Sequence, residues 1–431
     1  MMKIVWLCSV SNAEIRSKLD TRRNLIEPFL WRVVHRKFEK GIDSGIWITN
    51  GINEIKKKSG VELHIVSLCR DLSKKRQDFE IDGINYHFVR DENSSILMKI
   101  YRYLFTRNAS QFRTNRKRIC KVINELNPDL VHVIGAENPQ YSLALLDLPK
   151  NIPTILQLQA LLMSIKDKVE GENKISYTYK GEIEKKIIKR ADYVGTCVPS
   201  FVKYIRENIG SDIKILNTTL AMAQTINLTE ANKEFDFVHF ANVLGKSKAT
   251  DIAIRAFGEA YKKDNSITLD IVGLCPDDFQ QEVYQLIDEL GIRNAVTFEG
   301  RLPTHDDVIS QIRKARFALL PLNVSVVTNT LLEAMANGLP LITTVTSGTP
   351  ALNAKRQSVL ISDKDDYKDI ADNMLLLLKD HQLIDTLRLN AAKTLSEKKN
   401  NKDIIGHWVE TYKVVLEYKK EGTPIPSGFL S

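Results

Sequence analysis

The chain is 431 residues long, 43% hydrophobic and 26% charged, with 61 Lys and Arg against 53 Asp and Glu for a formal net charge of +8. The length predicts two domains, and the composition excludes a disordered chain, a collagen-like repeat and a coiled coil. The positive excess favours anionic partners: nucleic acid, phosphorylated small molecules or an anionic membrane face.

Short apolar runs alternate with helical patterns. Ile4–Cys8 reads as a buried strand, Ile46 to Lys58 as a helix after Gly45, Glu62–Leu68 and Asn85–Val89 as strands, and Leu97–Leu126 as helix broken near Asn108. Strands follow at Leu130–Ile134, Thr154–Leu158 and Tyr193–Cys197, with a charged helix at Gly181–Arg190. Ala223 to Asp236 is polar and aperiodic and reads as a linker. Beyond it, strands at Phe237–Val243, Ile267–Val272, Val296–Phe298, Phe317–Leu322 and Leu341–Val345 alternate with helices at Asp251–Lys262, Asp277–Leu290, Asp306–Ala315 and Thr330–Asn337. Tyr367–Leu378, Leu383–Lys398 and Ile404–Tyr418 close the chain as helices. Strands buried on both faces between helices imply mostly parallel sheets. The expected class is α/β, two doubly wound domains in tandem over residues 1–222 and 223–400, with the last helix, in 401–431, expected to return to the first domain.

The five cysteines are scattered and odd in number, so reduced thiols are expected, and the eight histidines have no metal-ligand spacing. The first apolar run is too short for a signal peptide, and no stretch of about 20 apolar residues spans a membrane. A cytoplasmic protein is expected, peripheral on the inner membrane face if it binds membrane.

In doubly wound sheets ligands sit beyond the carboxyl ends of the strands, so post-strand residues are the candidates. Gly245-Lys246-Ser247-Lys248 follows a strand and precedes a helix, offering charge and open amides to a phosphate, although GxxxxGK[ST] and GxGxxG are both absent. A solvated turn would look the same. In Ser325 to Pro340, Thr328, Asn329 and Thr330 supply helix-start amides and Glu333 a carboxylate suited to sugar hydroxyls or, equally, to the helix dipole. Gly348-Thr349-Pro350 reads as a possible site or a plain turn. His132 and Glu137 lie at and beyond the end of Leu130–Ile134, and a lone strand histidine is more often core. Leu97–Arg118 joins aromatic and aliphatic residues to a basic run and suits an anionic membrane surface or a solvated helix; without a recognition motif, nucleic acid is not expected. Asp363-Lys364-Asp365 reads as a surface loop.

The order of motifs resembles family 4 glycosyltransferases. FANVLGKSKATDIAIRAF is similar to their G-R…K-G-x-D-x-x-I-x-A-F block, LDIVG to L-x-I-V-G, AVTFEGRLP to V-x-F-x-G, and LLEAMANGLPLITTVTSGTP to L-E-A-M-A-x-G-x-P-V-I-x-T-x-x-G-G-x-P. NPDLVHV resembles x-P-D-V-V-H-x-H, and RADYVGTCVPSFVKYI resembles x-A-D-x-V-x-x-x-S. The likeness spans about residues 1–420, and its opening is similar to bacterial surface-polysaccharide members. It implies the GT-B fold, two Rossmann-like domains facing across a cleft. It also implies a retaining transferase with a nucleotide-sugar donor on the second domain, a saccharide or lipid-linked acceptor on the first, and no metal. By position, Lys248 takes the diphosphate, Glu333 is the second Glu of E-x7-E on the ribose, Thr328, Asn329 and Thr330 offer amides near the β-phosphate, and Arg301 and Leu302 lie where the base is read. The departing phosphate would take the acceptor proton.

The sequence departs from that pattern at Ser325, the first Glu of E-x7-E, and at Asn242 or Val243, where Arg is usual. It departs again at Ala249, Ile134 and Ala351. Gly41 and Gly45 stand in for a missing glycine pair after the first strand, Lys246 for the missing Arg, and Glu137 for an acceptor contact. These substitutions leave a second reading open, a GT-B protein of weak or no activity serving as partner subunit to another transferase. A third, an epimerase or hydrolase, would need an acid/base constellation beyond His132 and Glu137.

Overall fold

The computed structural model describes residues 1–21, 43–92, 111–164, 171–323, 327–346 and 348–431. They form two compact units, Met1–Ala221 with Asn401–Ser431, and Met222–Asn400. Ser325, Gly41 and the stretch from Leu97 to Ser110 lie outside the described residues.

The first unit holds β1 (Met2–Leu7), α1 (Ala13–Lys18), α2 (Ile46–Ile55), β2 (Val61–Cys69), β3 (Arg76–Ile81), β4 (Ile84–Arg90), α3 (Arg113–Leu126), β5 (Leu130–Ile134), β6 (Thr154–Gln157), α4 (Gly171–Arg190), β7 (Tyr193–Gly195), α5 (Pro199–Asn208) and β8 (Ile215–Leu216). The sheet runs β3-β4-β2-β1-β5-β6-β7-β8, and only β3 is antiparallel to its neighbour. The order reverses at β1, between β2 and β5, which places a topological switch there. Strands such as Ile4–Leu7 and Leu130–Ile134 are fully buried, as parallel strands covered on both faces must be.

The second unit holds β9 (Phe235–Val243), α6 (Thr250–Lys263), β10 (Leu269–Leu274), α7 (Asp277–Glu289), β11 (Val296–Gly300), α8 (His305–Ile312), β12 (Ala315–Leu320), α9 (Asn329–Ala336), β13 (Leu341–Thr344), β14 (Leu360–Ser362), α10 (Tyr367–Lys379) and α11 (His381–Ser396). Its all-parallel sheet runs β11-β10-β9-β12-β13-β14, with the switch at β9. Two buried clusters cover its faces, one around Phe257 and Phe317, the other around Leu331 and Met335.

The last helix, α12 (Asn401–Glu421), packs on the first unit's core. Trp408 contacts Trp6 and His132 ring to ring, and its Nε1 donates to Thr219 O at 2.9 Å. The terminus then pairs with the β8 edge, Ser431 N donating to Ile215 O and Asn217 N to Phe429 O. That covers an otherwise open sheet edge.

Of the helix expected over Leu97–Leu126, the structure describes α3, the part before Gln111 lying outside the described residues, and two of its basic residues turn onto the protein: Arg116 pairs with Asp147, and Arg118 donates to Arg90 O at 2.7 Å. The hairpin strand β3 was not expected, because its alternation is polar and half-exposed. Among the described residues no helix is long and apolar enough to cross a membrane, and no group of three or more His, Cys, Asp or Glu is arranged to hold a metal ion.

Candidate functional site

In the second unit the post-strand loops of β9, β11 and β12 carry the candidates. The β9 loop is fixed from beneath. His239, buried on β9, lies 2.9 Å from Leu319 O through Nδ1 and 3.0 Å from Thr250 Oγ1 through Nε2. Thr250 Oγ1 also accepts the Gly245 amide at 3.2 Å. One tautomer satisfies both bonds: Nδ1–H donates to the carbonyl and Nε2 accepts from the hydroxyl. Burial pushes the His239 imidazole down to about 4, in keeping with a neutral ring. From the other side Asn323 Nδ2 donates to Lys246 O at 2.8 Å. Ala249, where the resemblance has glycine, is held in the left-handed region at φ 47.

The two lysines of this loop part company. Lys246 is exposed and paired with Asp251 at 2.9 Å and Glu282 at 3.5 Å. The expected replacement for the missing Arg charge is therefore engaged on the unit's own carboxylates. Lys248 is half-buried, and no ion pair holds it among the described residues. Burial lowers its ammonium, and the charge of Glu333 works against that.

Glu333 sits one turn into α9, only 6% exposed. Burial raises its carboxyl, with His305 and Lys248 pulling the other way, and His305 Nε2 stands 3.8 Å from Oε1. His305 was not singled out in the sequence. A capping box puts it at the first position of α8, Thr304 accepting from Asp307 N at 3.1 Å and Asp307 Oδ2 accepting from Thr304 N at 3.1 Å. Thr328 occupies the N-cap of α9, but its hydroxyl meets Thr330 Oγ1 at 2.7 Å and caps no amide. The first-turn amides from Asn329 and Thr330 onward are thus open, and Asn329 Oδ1 is buried without a partner. Arg301 follows Gly300 at the end of β11. Leu302 is half-buried and packs against the cluster of Leu331 and Met335. Thr349 is fully buried and donates to Thr344 O at 2.8 Å, which holds the turn after β13.

In the first unit His132 is a core residue, which corrects its candidacy as a catalytic group. It is 1% exposed, packed on Trp6 and Trp408 and 2.7 Å from Tyr412 Oη. Burial pushes its imidazole down to about 3. Glu137 stands differently. It lies beyond β5, and Gly135 before it, at φ +98, has no room for a Cβ, which would fall 2.8 Å from Glu137 Oε1. Asn138 Nδ2 donates to Oε1 at 2.8 Å. With its amide turned to satisfy both neighbours, Gln159 donates to Oε1 at 3.2 Å and accepts from Trp47 Nε1 at 3.2 Å. Oε2 is buried without a partner. Burial raises the Glu137 carboxyl to about 7, with Lys180 opposing.

Glu184 on α4 is raised to about 7 by its own burial, and Glu137 adds to the rise. It accepts the amides of Leu162 and Met163, each at 3.1 Å. Trp47, Gln159 and Glu184 were missed in the sequence; the only signal was a polar residue just past Thr154–Gln157. Gly45, at φ +68, starts α2 with a hypothetical Cβ 2.6 Å from Ser9 O, so only glycine fits where the chain passes the end of β1.

Residues 224–394 match the family model for glycosyl transferases group 1. An uncharacterized glycosyltransferase of Methanocaldococcus jannaschii is 23% identical over 346 residues, 79% of this chain and 90% of that protein. Sucrose-phosphate synthase from Thermosynechococcus elongatus superposes with a TM-score of 0.70 at 15% identity, covering 95% of this chain and 98% of the other. Anabaena HepE, solved in complex with UDP and glucose, superposes with a TM-score of 0.61 at 15% identity over 96% and 100% of the two chains. The family match lies within the second unit, and the two-domain α/β fold with parallel sheets matches that of GT-B glycosyltransferase structures such as sucrose-phosphate synthase.

Proposed function

We propose that this chain transfers a sugar from a nucleotide-sugar donor, bound by the second unit, to a saccharide or lipid-linked saccharide on the first unit. The transfer retains anomeric configuration, needs no resident metal and serves surface polysaccharide or glycoconjugate assembly. The observation that carries the donor half is a half-buried Lys248 and a buried Glu333 that feel each other's charge, with the open first-turn amides of α9 on the same helix as Glu333. An ammonium and helix amides suit a diphosphate whose charge grows as it leaves. A carboxylate suits a ribose diol. Arg301 and Leu302 would meet the base, and Gly45 remains a donor-binding candidate by the family resemblance. Ser325, which lies outside the described residues, replaces the first Glu of the family's E-x7-E.

A lipid-linked acceptor in an anionic membrane would meet the basic stretch ending at Arg118, of which Arg113 and Lys117 are exposed. The HepE structure with UDP and glucose makes UDP-glucose the first donor to try. The test is thermal unfolding with UDP-glucose and other nucleotide sugars, beside a Lys248→Ala/Glu333→Ala control. A ligand at 100 times its Kd stabilises the fold by about 2.7 kcal/mol. A shift from one nucleotide sugar, absent in the control, supports the reading. No shift from any of them favours the inactive partner subunit, with Ser325 as its leading cause.

A further inference from the structure

Glu137 is anchored at one oxygen and bare at the other. Oε1 takes two amide donors, Asn138 Nδ2 at 2.8 Å and Gln159 Nε2 at 3.2 Å, while Oε2 is buried with no hydrogen bond from another described residue, Glu137's own amide being the carboxyl's remaining backbone neighbour. The Gln159 amide is fixed in turn, because its oxygen accepts from Trp47 Nε1. The relay thus joins α2, the segment after β6 and the loop after β5 at the carboxyl ends of the strands.

A buried carboxyl oxygen without a partner costs about 1–3 kcal/mol. Such a cost is offset when a ligand group completes the bond. Among the described residues, the titratable groups that couple to Glu137 are Lys180 and Glu184 from α4 and the buried Tyr141 after β5. Beside a bare carboxyl and a second buried carboxyl, a ligand carboxylate would be repelled, whereas a hydroxyl donates its proton without adding charge.

We propose that Glu137 receives a hydroxyl of a neutral saccharide acceptor through Oε2, and that Gln159, steered by Trp47, is the positioning residue that keeps that oxygen bare. This rests on the glycosyl-transfer reading, since it gives the acceptor its binding group. The sugar hydroxyl donates to Oε2, and Oε1 keeps both amides throughout.

The experiment follows the Trp47 indole N–H by NMR, assigned by its loss in Trp47→Phe. In the unaltered chain its resonance moves with a midpoint near pH 7, because the relay reports the charge on Glu137. Glu137→Gln abolishes that movement, and Gln159→Leu uncouples it. Methyl α-D-glucopyranoside at millimolar concentration shifts the resonance in the unaltered chain and not in Glu137→Gln; L-malate does not shift it. A resonance flat from pH 5 to 9, titration surviving in Glu137→Gln, a response to malate, or none to the glucoside overturns the proposal. None of these readings involves a nucleotide sugar, so a failed donor reading shows itself separately in the thermal-shift assay.

Discussion

Thr250 Oγ1 bridges His239 Nε2 at 3.0 Å and the Gly245 amide at 3.2 Å, tying the loop that carries Lys248 to the middle of the second unit's sheet. Thr250→Val keeps the shape and removes both bonds, leaving a buried imidazole nitrogen and a backbone N–H unsatisfied. The expected loss is about 1–3 kcal/mol in the second unit's unfolding transition, with the urea m-value unchanged. Nucleotide-sugar stabilisation falls with it, because the loop is no longer held. A variant that unfolds and binds as the parent does would show that the loop is held by other means.

The same histidine gives the second unit an acid limb. His239 sits near 4 when folded and about 6.5 when unfolded. A base lowered by folding binds more protons in the unfolded chain, so stability present above pH 6.5 is lost as pH falls towards 4. From pH 7 to pH 5 this group removes about 2 kcal/mol. His239→Gln cannot titrate, so the gap between it and the parent, measured by urea titration of the second unit, narrows by that amount at pH 5. A gap constant over the range would place a charged imidazole in the folded state.

Glu333 carries a burial cost that a ligand would offset. Glu333→Gln removes the charge and keeps the volume, so the ligand-free second unit is expected to hold its stability or gain up to about 1 kcal/mol. A ribose diol loses its charged acceptor, since one carboxylate oxygen becomes an NH2 donor and the other a neutral carbonyl, which weakens nucleotide-sugar binding by about 1.5–3 kcal/mol. Calorimetric titration and thermal unfolding separate the two effects. A variant that is much less stable without ligand would make Glu333 a structural residue.

The parallel sheets were legible because their strands are buried on both faces and read as apolar runs between helices. Leu130–Ile134 has the same bounds in sequence and structure. The antiparallel β3 was hidden by its polar, half-exposed pattern. The positions of Lys248 and Glu333 just past parallel strands were legible from the strand–loop–helix order alone. Two other residues have long-range partners that spacing does not reveal. Lys246 meets Glu282 of α7, and His132 meets Tyr412, 280 residues away, in the core. Trp47 and Gln159 were invisible for the same reason, since neither carries a motif and only the fold brings both to Glu137.

Tyr412 tests how far α12 is part of the first unit. Its hydroxyl accepts from Trp6 Nε1 at 3.0 Å and is hydrogen-bonded with His132 Nδ1, 2.7 Å away, linking β1, β5 and the last helix inside one core. Tyr412→Phe keeps the ring and strands both partners in a fully buried site, so a loss of about 2–4 kcal/mol is expected. The loss should fall on the first unit's transition alone, with the second unit and its nucleotide-sugar response unchanged. Removal of residues 401–431 uncovers Trp6 and Trp408's other neighbours and should leave the first unit unfolded at ambient temperature. Near-parental stability in Tyr412→Phe, below about 1 kcal/mol of change, would mean that packing of Trp408 alone holds the helix, and the truncation would then be the variant that measures it.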